Sequence, residues 1–504
     1  MMAMARPVCL LVCAAAACTP QNRKRDDVPS QPASESQLLA LEREAYFGKQ
    51  TQINLDYATH SQLRAGNSAK LLMSAESAER RIANARDADV ILVKTFIFKD
   101  DDTGRRLAQV LAERARAGAY VVVQYDVKGS LGSAEERAQM ARNATPENPL
   151  GEKDLLHGLR QAGVMVIPTN SPARPLELDE LANNLARATR SPLEASERSV
   201  QSLKSVAFVD HEKYWITGRR LADGYVELRA ILGGTNLASE YAFGGTKRVD
   251  SRTGEAGWRD TDVELRGPIL NDIVVRYFDT MDYHYGRLVD VSKRKQWNPP
   301  QRRAGDANVR FLWSHPQVEQ LHAIYHMYRV LIDATPAGSQ IQFENAYFIP
   351  YGDVRKSIAA AVDRHIQLLV LTNSADSTDE KIITDASRST FYALLKRDPT
   401  VRLYEHKSRP EIGAKQLHTK AASFGKIGPV VIGSFNMDAW SAERNSEDVV
   451  LIDEPSFRHD FDDMIRRDVA PEHADHITLE VAESDSTWTK VRQWAIDNLL
   501  RYWL

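Results

Sequence analysis

The chain has 504 residues, 43% of them hydrophobic and 26% charged, with a formal net charge of −3 at pH 7. That length exceeds one ordinary core, so two or more domains are expected, and the composition excludes wholesale disorder. The near-neutral balance gives no overall basic footprint for nucleic acid and leaves room only for a local groove.

The three cysteines, Cys9, Cys13 and Cys18, all lie in the opening MMAMARPVCLLVCAAAACTPQ. Arg6 supplies a short basic start, and the apolar stretch from Val8 to Ala17 has the length of a signal-peptide core, too short to span a bilayer as a helix. Ala15, Ala16 and Ala17 before Cys18 resemble a bacterial lipoprotein cleavage box, with Ala15 standing where leucine is usual. Residues 1–18 are therefore read as a lipoprotein-type signal peptide, with Cys18 as the lipidated first residue of the mature chain, and a plain signal peptide or membrane tether as the alternative. That mature chain has no second cysteine, so an intrachain disulfide framework is excluded. The expected location is exported and lipid-anchored to the cell envelope, and Thr19 points to the outer membrane. Residues 19–60 then read as a polar tether, TPQNRKRDDVPSQPASESQ, followed by an N-terminal helix.

The next elements are ADVILVKTFIF, the amphipathic TGRRLAQVLAERARAG, AYVVVQYDV and, after LLHGLRQA, VMVIP. A β-branched run, a helix closed by Gly118 and a second buried run predict β-α-β steps with parallel strands. DVKGS with Gly129 reads as a strand-end loop near a cleft. The stretch from Pro172 to Val200 reads as an inserted helix with polar connections. After the segment KRKQWNPPQRRAGDANV, rich in charge and proline, the same grammar returns in SQIQFENAYFIP, VRKSIAAAVDRH, IQLLVLTNS and VRLYEH.

Each half then reaches an H-x-K pair: His211 and Lys213 in VDHEKYWITG, His418 and Lys420 in QLHTKAASFG. Spacing by two puts both side chains of a pair on one face of an extended strand. Each pair is followed by a hairpin and a glycine-started turn, ILGGTN ending at Asn236 and VIGSFN ending at Asn436. An acidic residue entering a strand comes next, Asp260 in GWRDTDVELRG and Glu447 in RNSEDVVLID. One H-x-K arises easily by chance; two, with matched strands before and matched Asn and carboxylate after, imply a duplication.

Two imidazoles meeting between two similar halves suit a two-step displacement, one as nucleophile and the other as general acid and base. Two lysines and two asparagines supply donors around a shared anion, as a phosphodiester requires. A carboxylate behind each histidine fixes its tautomer and supports the imidazolium. This set calls for no metal and no cofactor, and the chain carries no H-E-x-x-H or metal-ligand cysteine spacing.

These residues resemble the phospholipase D superfamily, in the branch of bacterial cardiolipin synthases and their relatives. The resemblance runs from about residue 68 to about residue 455 and includes GGTNLASEY, WRDTDVELRGP, ENAYFIPY and GSFNMDAWSAERNSE. It implies an α/β fold of two similar domains, 61–300 and 301–504, each a mostly parallel mixed sheet flanked by helices, with the active site at their pseudo-twofold interface. It further implies metal-independent phosphodiester exchange through a phosphohistidine, with His211 as nucleophile and His418 as general acid/base. Lys213, Lys420, Asn236 and Asn436 match the phosphate-binding positions, and Asp260 and Glu447 match the carboxylates that orient the histidines. The implied partners are glycerophospholipids and a membrane surface reached through lipidated Cys18, with no nucleic acid, for a chain acting as a monomer.

Two departures stand out. The family motif reads H-x-K-x-x-x-x-D, yet Gly218 and Gly425 occupy its last position, and RRLADGYVELRA lengthens the first hairpin. A competing alignment sets Asp210 at the motif aspartate, with Leu203 and Ser205 in place of histidine and lysine. The other functions left open are a nuclease of the same fold and a catalytically impaired, surface-anchored lipid-binding protein. The C-terminal TWTKVRQWAIDNLLRYWL places Trp488, Val491, Ala495, Leu499 and Trp503 near one helical face, for docking on the second domain or lying on a membrane.

Overall fold

The computed structural model of the protein describes residues 34–131, 154–169, 209–285, 288–316, 321–378, 381–497 and 501. The leader with Cys18, the 172–200 insertion, Leu203, Ser205, Leu499 and Trp503 lie outside the described residues.

The continuous apolar runs of the sequence become strands buried on both faces, as their lack of alternation requires. The N-terminal half contains β1 (Leu63–Met73), β2 (Val90–Thr95), β3 (Tyr120–Asp126), β4 (Met165–Thr169), β5 (Tyr214–Arg220), β6 (Val226–Gly233) and β7 (Thr261–Arg266). The C-terminal half contains β8 (Ala307–Ser314), β9 (Gln340–Asn345), β10 (Gln367–Asn373), β11 (Arg402–His406), β12 (Lys420–Phe424), β13 (Val430–Gly433) and β14 (Glu447–Asp453), with β15 (Ala474–Ile477) added outside β11. Read outward from the centre, the first half runs β1-β7-β6-β5-β2-β3-β4 and the second β8-β14-β13-β12-β9-β10-β11. The order repeats strand for strand.

Two features correct the expected pair of mostly parallel sheets. Only the runs β2-β3-β4 and β9-β10-β11 are parallel, and the other pairings of the described sheet are antiparallel. Parallel neighbours need a crossover, supplied for example by the helix Asp102–Arg116, whereas the H-x-K strands turn straight back as hairpins and can pair only antiparallel. The halves are also joined edge to edge. β1 pairs with β8 through Leu63–Asn67 and with β7 through Ser68–Met73, with an irregularity between Arg64 and Asn67. Gly66 takes φ 88° there, and buried Asn67 donates to the Arg64 and Ala307 carbonyls while accepting from Ile269 N.

A core shared by both halves lies behind the hairpins. It joins Ile216, Leu228, Leu232 and Val263 to Ile432, Val450 and Ile452, with the helices Ile269–Tyr285 and Pro455–Asp468 between them. The helices Glu35–Phe47 and Lys49–Thr59, which open the described chain behind a Ser34 capping box, pack on the C-terminal half. Tyr46 and Leu55 enter its core beside Leu312, Tyr328 and Phe424.

DVKGS forms a helical turn, Val127–Leu131, rather than a loop, with Asp126 accepting from Gly129 N. The C-terminal helix Thr487–Ala495 does dock on the second half, but by the opposite face from the one its apolar spacing picks out. Gln493 and Asp497 are buried, with Asp497 bound by Arg355 and Arg501, while Trp488 is 83% exposed. A buried ion-pair anchor fixed the helix's rotation, and hydrophobic periodicity does not register such an anchor. Among the described residues no helix is long and apolar enough to cross a membrane.

Candidate active site

Both H-x-K pairs sit at the starts of β5 and β12, the fourth strand out from the centre of the sheet in each half. The approach to each is pinned by the other half. His211 N donates to Ser446 O, and His418 N donates to Arg259 O. Each pair therefore lies one residue from the carboxylate of the opposite half. That backbone exchange sets the pairing of side chains: His211 Nδ1 meets Glu447 Oε2 at 2.8 Å, and His418 Nδ1 meets Asp260 Oδ2 at 2.8 Å. While the carboxylate is ionised it only accepts, so Nδ1 then carries the proton and the chemistry falls to Nε2.

The lysines lie deep in the same place. Lys213 Nζ donates to the His211 carbonyl at 2.7 Å, and Lys420 Nζ to the His418 carbonyl at 2.5 Å. Lys420 Nζ also approaches His418 Nδ1 at 2.8 Å, but that nitrogen's proton is committed to Asp260, which leaves the carbonyl as the lysine's acceptor. The asparagines close the ring. Asn236 Oδ1 accepts from Ile97 N, while its buried Nδ2 has no hydrogen-bond partner among the described residues. Asn436 N donates to Ser441 Oγ, and its buried side-chain oxygen is likewise unmatched. Buried amide groups without partners are uncommon in folded proteins.

Burial governs the charge states. It pushes Glu447 up to about 7 and Asp260 up to about 6. It also pushes the His211 imidazole well below its ordinary range, aided by the positive charge of Lys213 and Lys420. His211 is thus neutral at pH 7, with its Nε2 lone pair available. Burial lowers the Lys213 ammonium to about 8 against the opposing pull of Glu447, Asp448 and Asp260.

His211, Lys213 and Asp260 of the first half meet His418, Lys420 and Glu447 of the second, while Asn236 and Asn436 stand in the turns that follow the two hairpins. Several supporting residues carried no separate signal. Ser434, Ser441 and Asn445 all donate to Glu447, at 2.5, 2.7 and 3.3 Å. Asn345, at the end of β9, donates to Phe435 O and accepts from Met437 N, holding the turn that presents Asn436 from both sides. Asp101 caps its helix through Gly104 N and accepts from Ser239 N, which does the same for the Asn236 turn. Ser434, Ser441 and Asn445 stand within GSFNMDAWSAERNSE, but nothing in their spacing says which carboxylate they serve. Asp210 lies just before the site, paired to Lys94 at 2.9 Å and accepting from Ser446 Oγ at 2.5 Å.

Residues 330–469 match the family described as "Cardiolipin synthase, PLD-like domain". The chain is 24% identical over 360 residues to the cardiolipin synthase of Geobacillus sp. (strain WCH70), an alignment covering 71% of this chain and 57% of that protein. It is 24% identical over 443 residues to cardiolipin synthase A of Pseudomonas aeruginosa, covering 87% of this chain and 74% of the relative. Among solved structures, the phosphatidylserine synthase of Haemophilus influenzae aligns with a TM-score of 0.58 at 11% identity, covering 90% of this chain and 100% of that one, a likeness of fold. Residues 330–469 are thus similar to that family, and the rest of the chain, with its repeated strand order and paired H-x-K motifs, resembles its members at low identity.

Proposed function

We propose that the protein is a metal-independent phospholipid phosphodiesterase or phosphatidyltransferase, of phospholipase D or cardiolipin synthase type, working through a phosphohistidine. The observation that carries this reading is the crossed pair of buried histidine–carboxylate bonds, His211 to Glu447 and His418 to Asp260. A glycerophospholipid's phosphate would be held by Lys213, Lys420 and the unpaired Nδ2 of Asn236, with Asn436 on the opposite side of the site. The His211 Nε2 lone pair forms a bond to phosphorus as the bond to the leaving alcohol breaks, and His418, which enters this step as the imidazolium, gives that alcohol its Nε2 proton and is left neutral. In the second step an acceptor hydroxyl loses its proton to His418, its oxygen bonds to phosphorus, and the phosphorus–nitrogen bond breaks. The two lysines supply the positive charge that equatorial phosphate oxygens demand, and each carboxylate is occupied by a histidine.

Purified full-length protein mixed with phosphatidylglycerol vesicles in EDTA tests this reading. Cardiolipin or phosphatidic acid made by the wild type, and lost in His211→Ala and His418→Ala, is the expected result; no product from any phospholipid by a folded wild type overturns it. Attachment to the cell envelope through a lipidated Cys18, with glycerophospholipids as partners, belongs to the same proposal and rests on the leader sequence. Incorporation of labelled palmitate that disappears in Cys18→Ser tests it.

A further inference from the structure

The repeat allows each half to be read against the other, station by station. Gly234 and Ser434 hold the same place, since their amides donate to Thr261 O and Asp448 O respectively. Trp258 and Asn445 do likewise, donating to Glu240 O and Trp440 O, and the next residues along, Tyr241 and Ser441, therefore correspond. Around Glu447 these three stations are Ser434, Ser441 and Asn445, and all three donate to the carboxylate. Around Asp260 they are Gly234, Tyr241 and Trp258. A Cβ on Gly234 would lie 2.3 Å from Asp260 Oδ1, so the carboxylate fills the space where its counterpart finds a serine. The two aromatic rings turn onto the histidine instead: Tyr241 lies edge-on to His418 at 4.9 Å between centroids, and Trp258 lies tilted over it at 5.6 Å.

The carboxylate behind His211 thus sits in a polar cradle, with one ring, Phe96, edge-on to the histidine at 5.0 Å, whereas His418 is flanked by two aromatic rings and its carboxylate lacks the three side-chain donors. A cradle of three donors fixes the Glu447 carboxylate and, through it, the ring that must attack in line. The aromatic wall removes water from one side of the His418 ring and offers apolar surface there. Trp258 remains partly exposed, and its indole Nε1 is a buried donor with no partner among the described residues. A donor of that kind next to an acid–base histidine is placed for an oxygen of an incoming molecule.

We infer that Tyr241 and Trp258 form the acceptor side of the site and select a lipid hydroxyl over water in the second step. This rests on the phospholipid reading and on His418 as the acid–base group, and it makes the protein a phosphatidyltransferase rather than a hydrolase. Atoms balance on either branch. A glycerol hydroxyl of a second phosphatidylglycerol gives cardiolipin, water gives phosphatidic acid, and His418 takes the proton in both.

The test is the ratio of phosphatidic acid to cardiolipin formed from phosphatidylglycerol vesicles by the full-length protein and by Trp258→Leu, Trp258→Asn and Tyr241→Ser. The ratio counts only product made by folded molecules, so partial unfolding does not move it. Cardiolipin should dominate for the wild type. The ratio should climb as the wall is cut back, by about tenfold or more at Trp258→Asn, the scale set by one lost specificity contact. A flat ratio across the variants, or phosphatidic acid as the main wild-type product, overturns this inference while leaving the phospholipid reading intact. A folded wild type that turns over no phospholipid overturns both.

Discussion

Glu447 and His211 are 236 residues apart in the chain and 2.8 Å apart in the structure, one from each half. The pairing is reciprocal, because Asp260 of the first half serves His418 of the second. Neither half therefore holds a complete histidine–carboxylate unit, and the repeat has to close on itself before the chemistry is possible.

The first prediction concerns that bond. Glu447→Gln keeps the size of the side chain and an acceptor for Nδ1–H, but removes the charge that supports the ring once it carries phosphorus. The kcat should fall by about 10²–10⁴ with substrate binding largely kept, following the pattern of buried acids behind catalytic histidines. Steady-state kinetics with phosphatidylglycerol beside a thermal melt separates this from unfolding.

A second prediction follows from Lys213, lowered by burial to about 8. Its ammonium is the form that holds phosphate, and that form is lost as pH rises through this value. The kcat/KM should therefore decline above pH 8. Lys213→Arg stays charged throughout, so its profile should lack that alkaline limb even if its absolute rate is lower. An unchanged limb in the arginine variant would assign it to another group.

Glu42 supports the third. Fully buried, it reaches from the N-terminal helix to the turn after β12, where its Oε2 accepts from Lys426 N at 2.7 Å and Ile427 N at 3.2 Å. Arg458 holds the same turn from the other side through the carbonyls of Phe424, Gly425 and Gly428. Glu42→Ala leaves two backbone amides of this turn without their carboxylate and should cost about 1.5–3 kcal/mol of stability, the range of a lost hydrogen bond to a charged group. Denaturant titration reads this directly. A change within about 0.5 kcal/mol, the range of an ordinary surface substitution, would mean the helix is not part of the C-terminal core.

The two H-x-K pairs, the carboxylates that meet them and the strand-by-strand repeat were legible because each polar residue stands at the end of a strand, at a station fixed by its neighbours in sequence. What joins the halves was not. The crossing of Glu447 and Asp260 depends on the exchange of backbone bonds at Ser446 and Arg259, and no local pattern encodes it. The antiparallel majority was missed because the crossover helices were given more weight than the hairpins. Gly218 and Gly425 were visible as departures from the family motif, but their reasons are tertiary. A Cβ at Gly218 would press on Val90 and Leu228, and Gly425, at φ 60°, lies against Glu42 and Tyr46. At the second of these turns a carboxylate is present after all, supplied by a helix near the other end of the chain. The aromatic wall was legible only as residues of WRDTD and ASEY, since its meaning lies in what faces it across the repeat.

The most direct measurement is an acid- or base-quenched single turnover with phosphatidylglycerol, followed by peptide mass spectrometry of the protein. The account predicts a transient phosphatidyl adduct on His211 that decays as cardiolipin appears and that does not form in His211→Ala. An adduct on His418 instead would reverse the roles of the two histidines. Turnover with no adduct on either ring at any time, together with inversion at a chiral phosphorothioate substrate, would contradict the two-step displacement itself.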